Sequence, residues 1–133
     1  YTESGDEMKK FCTYDGMGFQ LLQKTGVKVG ILTTEDRQLN RRRAKKLGLD
    51  FDFHGARDKL QIVKDLCEKV NVSLNEVAYI GDDVNCFELL SRVGIAACPS
   101  NAVKKIKLIP NIIQLERNGG EGVVREFVDL ILR

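Results

Sequence analysis

The run Val77-Ala-Tyr-Ile80, closed by Gly81-Asp82-Asp83, decides how this chain is read. Four strand-forming residues with no polar alternation suit a strand buried on both faces, as in a parallel sheet covered by helices. Two carboxylates stand just beyond the carboxyl end of that strand, and a helix is expected from about Val84 to Val93. An earlier run of the same kind, Val27-Lys-Val-Gly-Ile-Leu-Thr33, ends in Thr33-Thr34. Ligands of open α/β sheets bind beyond the carboxyl ends of the strands, so these two ends are where chemistry is expected.

Working outward, hydrophobic segments alternate between strand-like runs and helical periodicity, which is the α/β pattern. A helix is expected from Gly16 to Lys24, ended by Gly26, and another from about Asp36 to Leu47, closed by Gly48. A short strand spans Phe51 to Phe53, and Leu60, Val63, Leu66, Cys67 and Val70 recur at helical spacing. Ser73 and Glu76 form a capping box, and strands follow at Ile95 to Cys98 and near Ile112 to Leu115, with a short helix between them. Asn118-Gly-Gly120 gives a flexible approach to a last helix, about Gly122 to Leu132. At the other end, Met8 to Cys12 follows a Ser4-Gly5-Asp6 turn and reads as one strand of a β-hairpin whose partner strand is not in the sequence.

With 133 residues, 43% of them hydrophobic, the chain is expected to be a single domain, residues 1–133, with one core. A net charge of +2 with 30% charged residues gives no global field toward nucleic acid or an anionic membrane, so an anionic partner must be recognised locally. Cysteines 12, 67, 86 and 98 lack zinc spacing and are read as reduced thiols of a cytoplasmic protein. No apolar run approaches a membrane span, and the polar start is no signal peptide.

The strand ends carry complementary chemistry. A hydroxyl and free backbone amides at Thr33-Thr34 suit a phosphoryl oxygen, whereas Asp82 and Asp83 suit a hard divalent cation. Between them Lys59 falls near a helix start, where the macrodipole disfavours a cation unless an anion is close. Singly, each has an ordinary reading: a β-branched packing residue, a helix start, a solvated lysine. The ordered set is more telling, with about 26 residues from Thr33 to Lys59 and about 23 more to Asp82.

That order and spacing resemble the second, third and fourth motifs of the haloacid-dehalogenase superfamily. The similarity extends through Lys9-Lys-Phe11, Asp15-Gly-Met-Gly18, Ile31-Leu-Thr-Thr-Glu35, Arg41-Arg-Arg-Ala44, Asp58-Lys-Leu60, Ala78 to Asn85, Arg92-Val-Gly-Ile95 and Gly119 to Phe127. Together these look like the small subgroup that dephosphorylates 3-deoxy-sugar acids. The resemblance implies a Rossmann-like parallel sheet flanked by helices, with no cap domain and a β-hairpin protruding near the N-terminus. It further implies a homotetramer and a Mg²⁺-dependent phosphatase in which Asp82 ligates the metal, Thr33 and Lys59 hold the phosphoryl group, and Asp83 helps order the metal site. Metal and lysine would neutralise the phosphate dianion before a carboxylate nucleophile approaches.

In this family the nucleophile is the first Asp of an Asp-x-Asp-Gly segment ahead of the threonine motif, and the second serves as acid and base. The resemblance places that segment roughly ten residues before Tyr1, so the domain reads as lacking its nucleophile strand. The internal Asp50-Phe-Asp52 follows a helix and comes after Thr33, and is read as part of a sheet strand; Asp15-Gly16 is read as a loop and helix cap. Many members carry an Asp where Cys86 stands, a departure that bears on metal affinity.

For the substrate, Arg43 and Lys46 share a helix face near the strand end bearing Thr33, Thr34 and Glu35. A cationic pair suits a sugar-acid carboxylate, and Glu35 suits its hydroxyls. The run is otherwise a solvated helix face. In the octulosonate 8-phosphate branch Gly-Arg follows the threonine; here Thr34-Glu35 and the glycine-rich Gly119 to Gly122 look more like the nonulosonate (sialic-acid type) 9-phosphate branch. In related tetramers the tail's arginine, here Arg125, folds near a neighbouring subunit's site. The main expectation is therefore a nonulosonate 9-phosphate phosphatase, with octulosonate 8-phosphate as the alternative. A rival of another class is a non-catalytic assembly module of a sialic-acid cytidylyltransferase. A receiver domain is disfavoured because its acidic pair precedes the threonine, and a dinucleotide-binding unit because Gly119 to Gly122 lies too near the C-terminus.

Overall fold

The computed structural model describes residues 11–133. The expected hairpin strand at Met8 to Cys12 lies mostly outside that range; Phe11 and Cys12 are non-regular, and helix α1 begins at Thr13 rather than Gly16, running to Lys24. There follow β1 (Gly30–Leu32), α2 (Gln38–Leu47), β2 (Phe51–Phe53), α3 (Lys59–Val70), a 3₁₀ turn (Leu74–Glu76) and β3 (Ala78–Ile80). A second 3₁₀ turn (Val84–Cys86) leads into α4 (Phe87–Leu90), β4 (Ile95–Cys98), α5 (Lys104–Lys107), β5 (Ile113–Gln114) and α6 (Val123–Ile131).

All pairing among the described strands is parallel, in two pieces. β1 pairs with β2, Ile31 beside Asp52, and β4 lies between β3 and β5, with Tyr79 beside Ala96 and Ala97 beside Ile113. Gly30 is required by this pairing, because a Cβ there would sit 2.7 Å from the Phe51 carbonyl oxygen. Short connections between strand and helix are achieved by left-handed residues: Gly48 ends α2 at φ 64° and Asn71 ends α3 at φ 60°. The Ser73–Glu76 capping box forms as expected.

Two expectations need correction. The strand expected from Val27 to Thr33 contracts to three residues, because Val27 is exposed and the Val29 amide is taken by the Asp50 carboxylate at 2.8 Å instead of a strand neighbour. The helix expected from Val84 to Val93 breaks into the 3₁₀ turn and four-residue α4; Asp83 caps its own neighbour Val84 at 2.6 Å and starts the tighter turn.

The core is densest beneath β4, where Ala97, Cys98 and Ile106 are completely buried and Leu89 and Leu90 nearly so. A second cluster, Leu22, Val29 and Val128, joins α1 to α6. Close helix approach there depends on Gly18, whose missing Cβ would meet Val128 at 3.3 Å. Asp15, read as a cap of its own helix, lies within α1 and accepts a 3.0 Å hydrogen bond from the Arg125 amide, so it caps the first turn of α6. The approach to α6 is likewise tied down: Glu126 accepts from the amides of Glu116 and Arg117 at 2.9 and 3.0 Å. The internal Asp50 and Asp52 belong to the sheet edge: Asp52 lies in β2, and Asp50 bonds Val29 and Gln23. All four cysteines are free thiols.

Candidate active site

Thr33 leaves β1 with its backbone fully used, its amide donating to the Phe53 carbonyl at 3.0 Å and its carbonyl accepting from Ala56 at 2.8 Å. Its hydroxyl oxygen accepts from the Glu35 amide at 3.1 Å, a local turn that fixes Thr34 and Glu35 at the strand end. Glu35 in turn accepts from the Asn40 side chain at 2.9 Å.

Lys59 opens α3 just after Asp58, whose carboxylate accepts from the Gln61 amide at 3.2 Å. Its side chain does not go to solvent. At 6% exposure it is the buried charged residue of the core, and its recorded hydrogen-bond partner is the Cys86 thiol, 3.5 Å from Nζ. No carboxylate pairs with it among the described residues. A buried ammonium facing only a thiol calls for an anion from elsewhere.

Cys86 is a meeting point. Beside Lys59, the Tyr79 hydroxyl lies 3.5 Å from its sulfur, and the Asn85 side-chain oxygen is also 3.5 Å away. Burial, with added contributions from the Cys86 thiol and Asp82, pushes the Tyr79 phenol far above its usual range, so it remains a neutral hydroxyl. The Asn85 amide nitrogen donates to the Thr34 hydroxyl at 3.2 Å. A continuous set of contacts, Thr34 to Asn85 to Cys86 to Lys59, therefore joins the turns after β1 and β3.

Asp82 and Asp83 are both exposed at the end of β3. Among the described residues no hydrogen bond or ion pair engages the Asp82 carboxylate, whereas that of Asp83 accepts from the Val84 amide. An exposed carboxylate of this kind suits Mg²⁺, which takes one or two carboxylates and fills the rest with phosphate oxygens and water. Among the described residues no group of three acidic, histidine or cysteine side chains converges, so Asp82 is only part of such a site. A cavity of about 420 Å³ opens beside Lys59, lined also by Arg57, Asp58, Val84, Asn85 and Glu88; Thr33, Thr34, Glu35, Asp82 and Asp83 do not line it.

The structure does not bring the other substrate candidates to this cavity. Arg43 stacks over Phe11 at 5.2 Å and lines a separate cavity of about 340 Å³ between α1 and α2. Lys46 is exposed on the same helix, and the Arg125 side chain donates to Asp129 at 3.1 Å on α6. Sequence reasoning missed Asn85 and Tyr79 as members of the Lys59 network. The one available signal was the phenol of Tyr79 in an otherwise apolar strand. Arg57 and Glu88 gave none.

Comparison with known proteins gives the same direction. The family model for haloacid dehalogenase-like hydrolases matches residues 53–127. The 3-deoxy-D-manno-octulosonate 8-phosphate phosphatase of Escherichia coli is 33% identical over 97% of this chain and 68% of the relative. The same enzyme from Haemophilus influenzae is 30% identical over 100% and 73%. Among solved structures, a probable YrbI family phosphatase of Pseudomonas syringae superposes with TM-score 0.94 at 35% identity, covering 99% of this chain and 74% of that one. The Moraxella catarrhalis octulosonate 8-phosphate phosphatase, solved with magnesium, phosphate and KDO, gives 0.93 at 32%, covering 99% and 75%.

Proposed function

This chain belongs to the haloacid dehalogenase-like hydrolases, and from that premise we propose that it is a magnesium-dependent phosphomonoesterase acting on 3-deoxy-octulosonate 8-phosphate. The observation that carries the reading is Lys59: a buried ammonium, unpaired by any described carboxylate, at strand ends that also present a free Asp82. The activity of the octulosonate 8-phosphate phosphatases this chain resembles supports the octulosonate substrate over the nonulosonate expected from sequence.

In this reading Lys59 draws in the phosphate dianion and stays paired with it as charge develops on the equatorial oxygens. The Thr33–Thr34 turn presents its hydroxyls to the same oxygens, the Thr33 and Glu35 amides being already engaged. Asp82 holds Mg²⁺, which when bound adds positive charge against the phosphate. Attack would come from an aspartate expected ahead of Tyr1 and outside the described residues: its carboxylate oxygen bonds phosphorus as the P–O bond to the sugar breaks. The second Asp of that segment protonates the leaving alcohol and then takes a proton from the water that hydrolyses the aspartyl-phosphate. β1 and β3 each pair along one edge among the described residues, and Ile31, Leu32, Tyr79 and Ile80 are only half-buried. That supports one phosphatase core over residues 1–133, completed by a nucleophile-bearing strand joining β1 to β3. A homotetramer, with a neighbouring subunit as lid over the cap-less site, is part of the same proposal.

One feature favours the nonulosonate 9-phosphate as a second reading: Thr34-Glu35 replaces the Gly-Arg of the octulosonate branch. Mg²⁺-dependent phosphate release by the native full-length protein decides between them. Preference for octulosonate 8-phosphate is expected; faster turnover of a nonulosonate 9-phosphate selects the second reading, and turnover of neither sinks both in favour of an assembly module. Among the described residues no helix is long and apolar enough to cross a membrane.

A further inference from the structure

The segment between β2 and α3 holds the Thr33–Glu35 turn and the start of α3 in register. The Phe53 carbonyl accepts from the Thr33 amide at 3.0 Å, the Gly55 amide donates to the Glu35 carbonyl at 3.0 Å, and the Ala56 amide donates to the Thr33 carbonyl at 2.8 Å. Gly55 takes φ 65° within this turn, and Lys59 opens α3 three residues beyond Ala56. A shift of residues 53–56 therefore moves Thr33 and Lys59 together.

His54 is packed inside that segment. Its side chain is only 5% exposed, and its Nε2 meets the Asp52 carboxylate at 3.0 Å; Asp52 lies two residues back in β2, on the same face. Nδ1 is buried without a partner, the one such side-chain nitrogen or oxygen among the described residues. Whichever ring nitrogen carries the proton, Nδ1 is unmatched, as a bare lone pair or as an N–H, and either opposes folding. A leucine would bury a similar surface without that penalty. A buried group that works against stability, inside the turn that joins two groups of the site, points to a role in the site.

We propose that His54, tethered by Asp52, is a positioning residue for Thr33 and Lys59: it fixes the turn on which both depend and so sets phosphate affinity without touching the phosphate. This rests on reading Lys59 as the phosphate group's partner. The tether is the contact between Nε2 and the Asp52 carboxylate, so a side chain that restores the contact restores the function.

The test is calorimetric titration of inorganic phosphate into the native full-length protein with Mg²⁺, together with its thermal midpoint. Lys59→Ala should weaken phosphate binding by about tenfold or more. His54→Leu should weaken it about fivefold yet melt at or above wild type, because the unmatched nitrogen is gone. His54→Gln, whose amide reaches Asp52, should return to within about twofold of wild type. Asp52→Ala, at a side chain 49% exposed, should weaken binding about threefold with the fold intact. Wild-type affinity in His54→Leu overturns the proposal. So does a joint fall of affinity and midpoint in His54→Leu with no recovery in His54→Gln, which is the signature of packing alone. If His54→Leu does not fold, Asp52→Ala carries the decision, and wild-type affinity there overturns the proposal. The phosphate-site reading survives each of these results while Lys59→Ala binds weakly; unaltered binding by Lys59→Ala removes that reading and this proposal together.

Discussion

β4, at the centre of the β3–β4–β5 piece, and the strands of the β1–β2 piece use similar residues, yet they are buried differently. Around β4, Ala97, Cys98 and Ile106 have no exposed surface, and Leu89 and Leu90 keep 1% and 2%. In β1 and β2, Ile31, Leu32, Phe51 and Phe53 are all half-buried, and the nearest fully buried groups are small: Val29, Ala44 and Ala56. β4, with neighbours on both edges, buries Ala97 and Cys98 while Ile95 at its start stays exposed; β1 and β3, each paired on a single edge, bury none of their residues fully. The first piece is thus scaffold. The second is a platform docked onto it through α1 and α6, and the candidate site lies where the two meet.

The sharpest way to break this division is at the junction. Lys59→Ala and Asp82→Asn should each cut phosphatase activity by about a thousandfold or more while leaving the thermal midpoint nearly unchanged, because both act on phosphate charge. Retention of wild-type rate by either would mean that the junction is not the active site. Scaffold and platform should then differ in urea unfolding. Leu90→Ala is expected to cost about 2–5 kcal/mol through the cavity it leaves, and Ile31→Ala less, about 1–2 kcal/mol, because part of its surface is already wet. Equal losses would erase the distinction. Gly94→Ala should cost about 1–3 kcal/mol, since a Cβ would run into the Asn75 backbone beside β4 and force the turn aside.

The smallest effect belongs to the platform edge. The Val29 amide, then the Gln23 side chain, hold the Asp50 carboxyl below its usual range. Because the folded value is depressed, the stabilisation is complete above the unfolded value of about 3.9 and is lost as pH falls through the lower folded one. Asp50→Asn should therefore melt slightly below wild type at pH 7, by well under about 1 kcal/mol for so exposed a group, with the gap closing below about pH 4. A gap that widens in acid would contradict this sign.

Much of this was legible beforehand, for local reasons. Gly48 after a basic amphipathic helix, Ser73 paired with Glu76, and Phe51 to Phe53 as a strand all form where expected, because caps and short runs are decided by neighbouring residues. Asp15 was misread because its partner, the Arg125 amide, is distant in sequence and adjacent only after α1 packs on α6. The same holds for Arg43, whose position on the helix was foreseen but whose ring contact with Phe11 was not.

Sequence alone determined the order of strands and helices, the family, and the identity of Thr33, Lys59 and Asp82 as groups standing at strand ends, because periodicity and spacing are properties of the chain itself. Only tertiary structure decided what those groups face. Burial of the Lys59 ammonium against a thiol, the bridge from Asn85 to Thr34, and the unengaged Asp82 carboxylate all depend on two pieces of sheet meeting. A charge is defined by its surroundings as much as by its residue, and those surroundings are assembled from segments that the sequence keeps far apart.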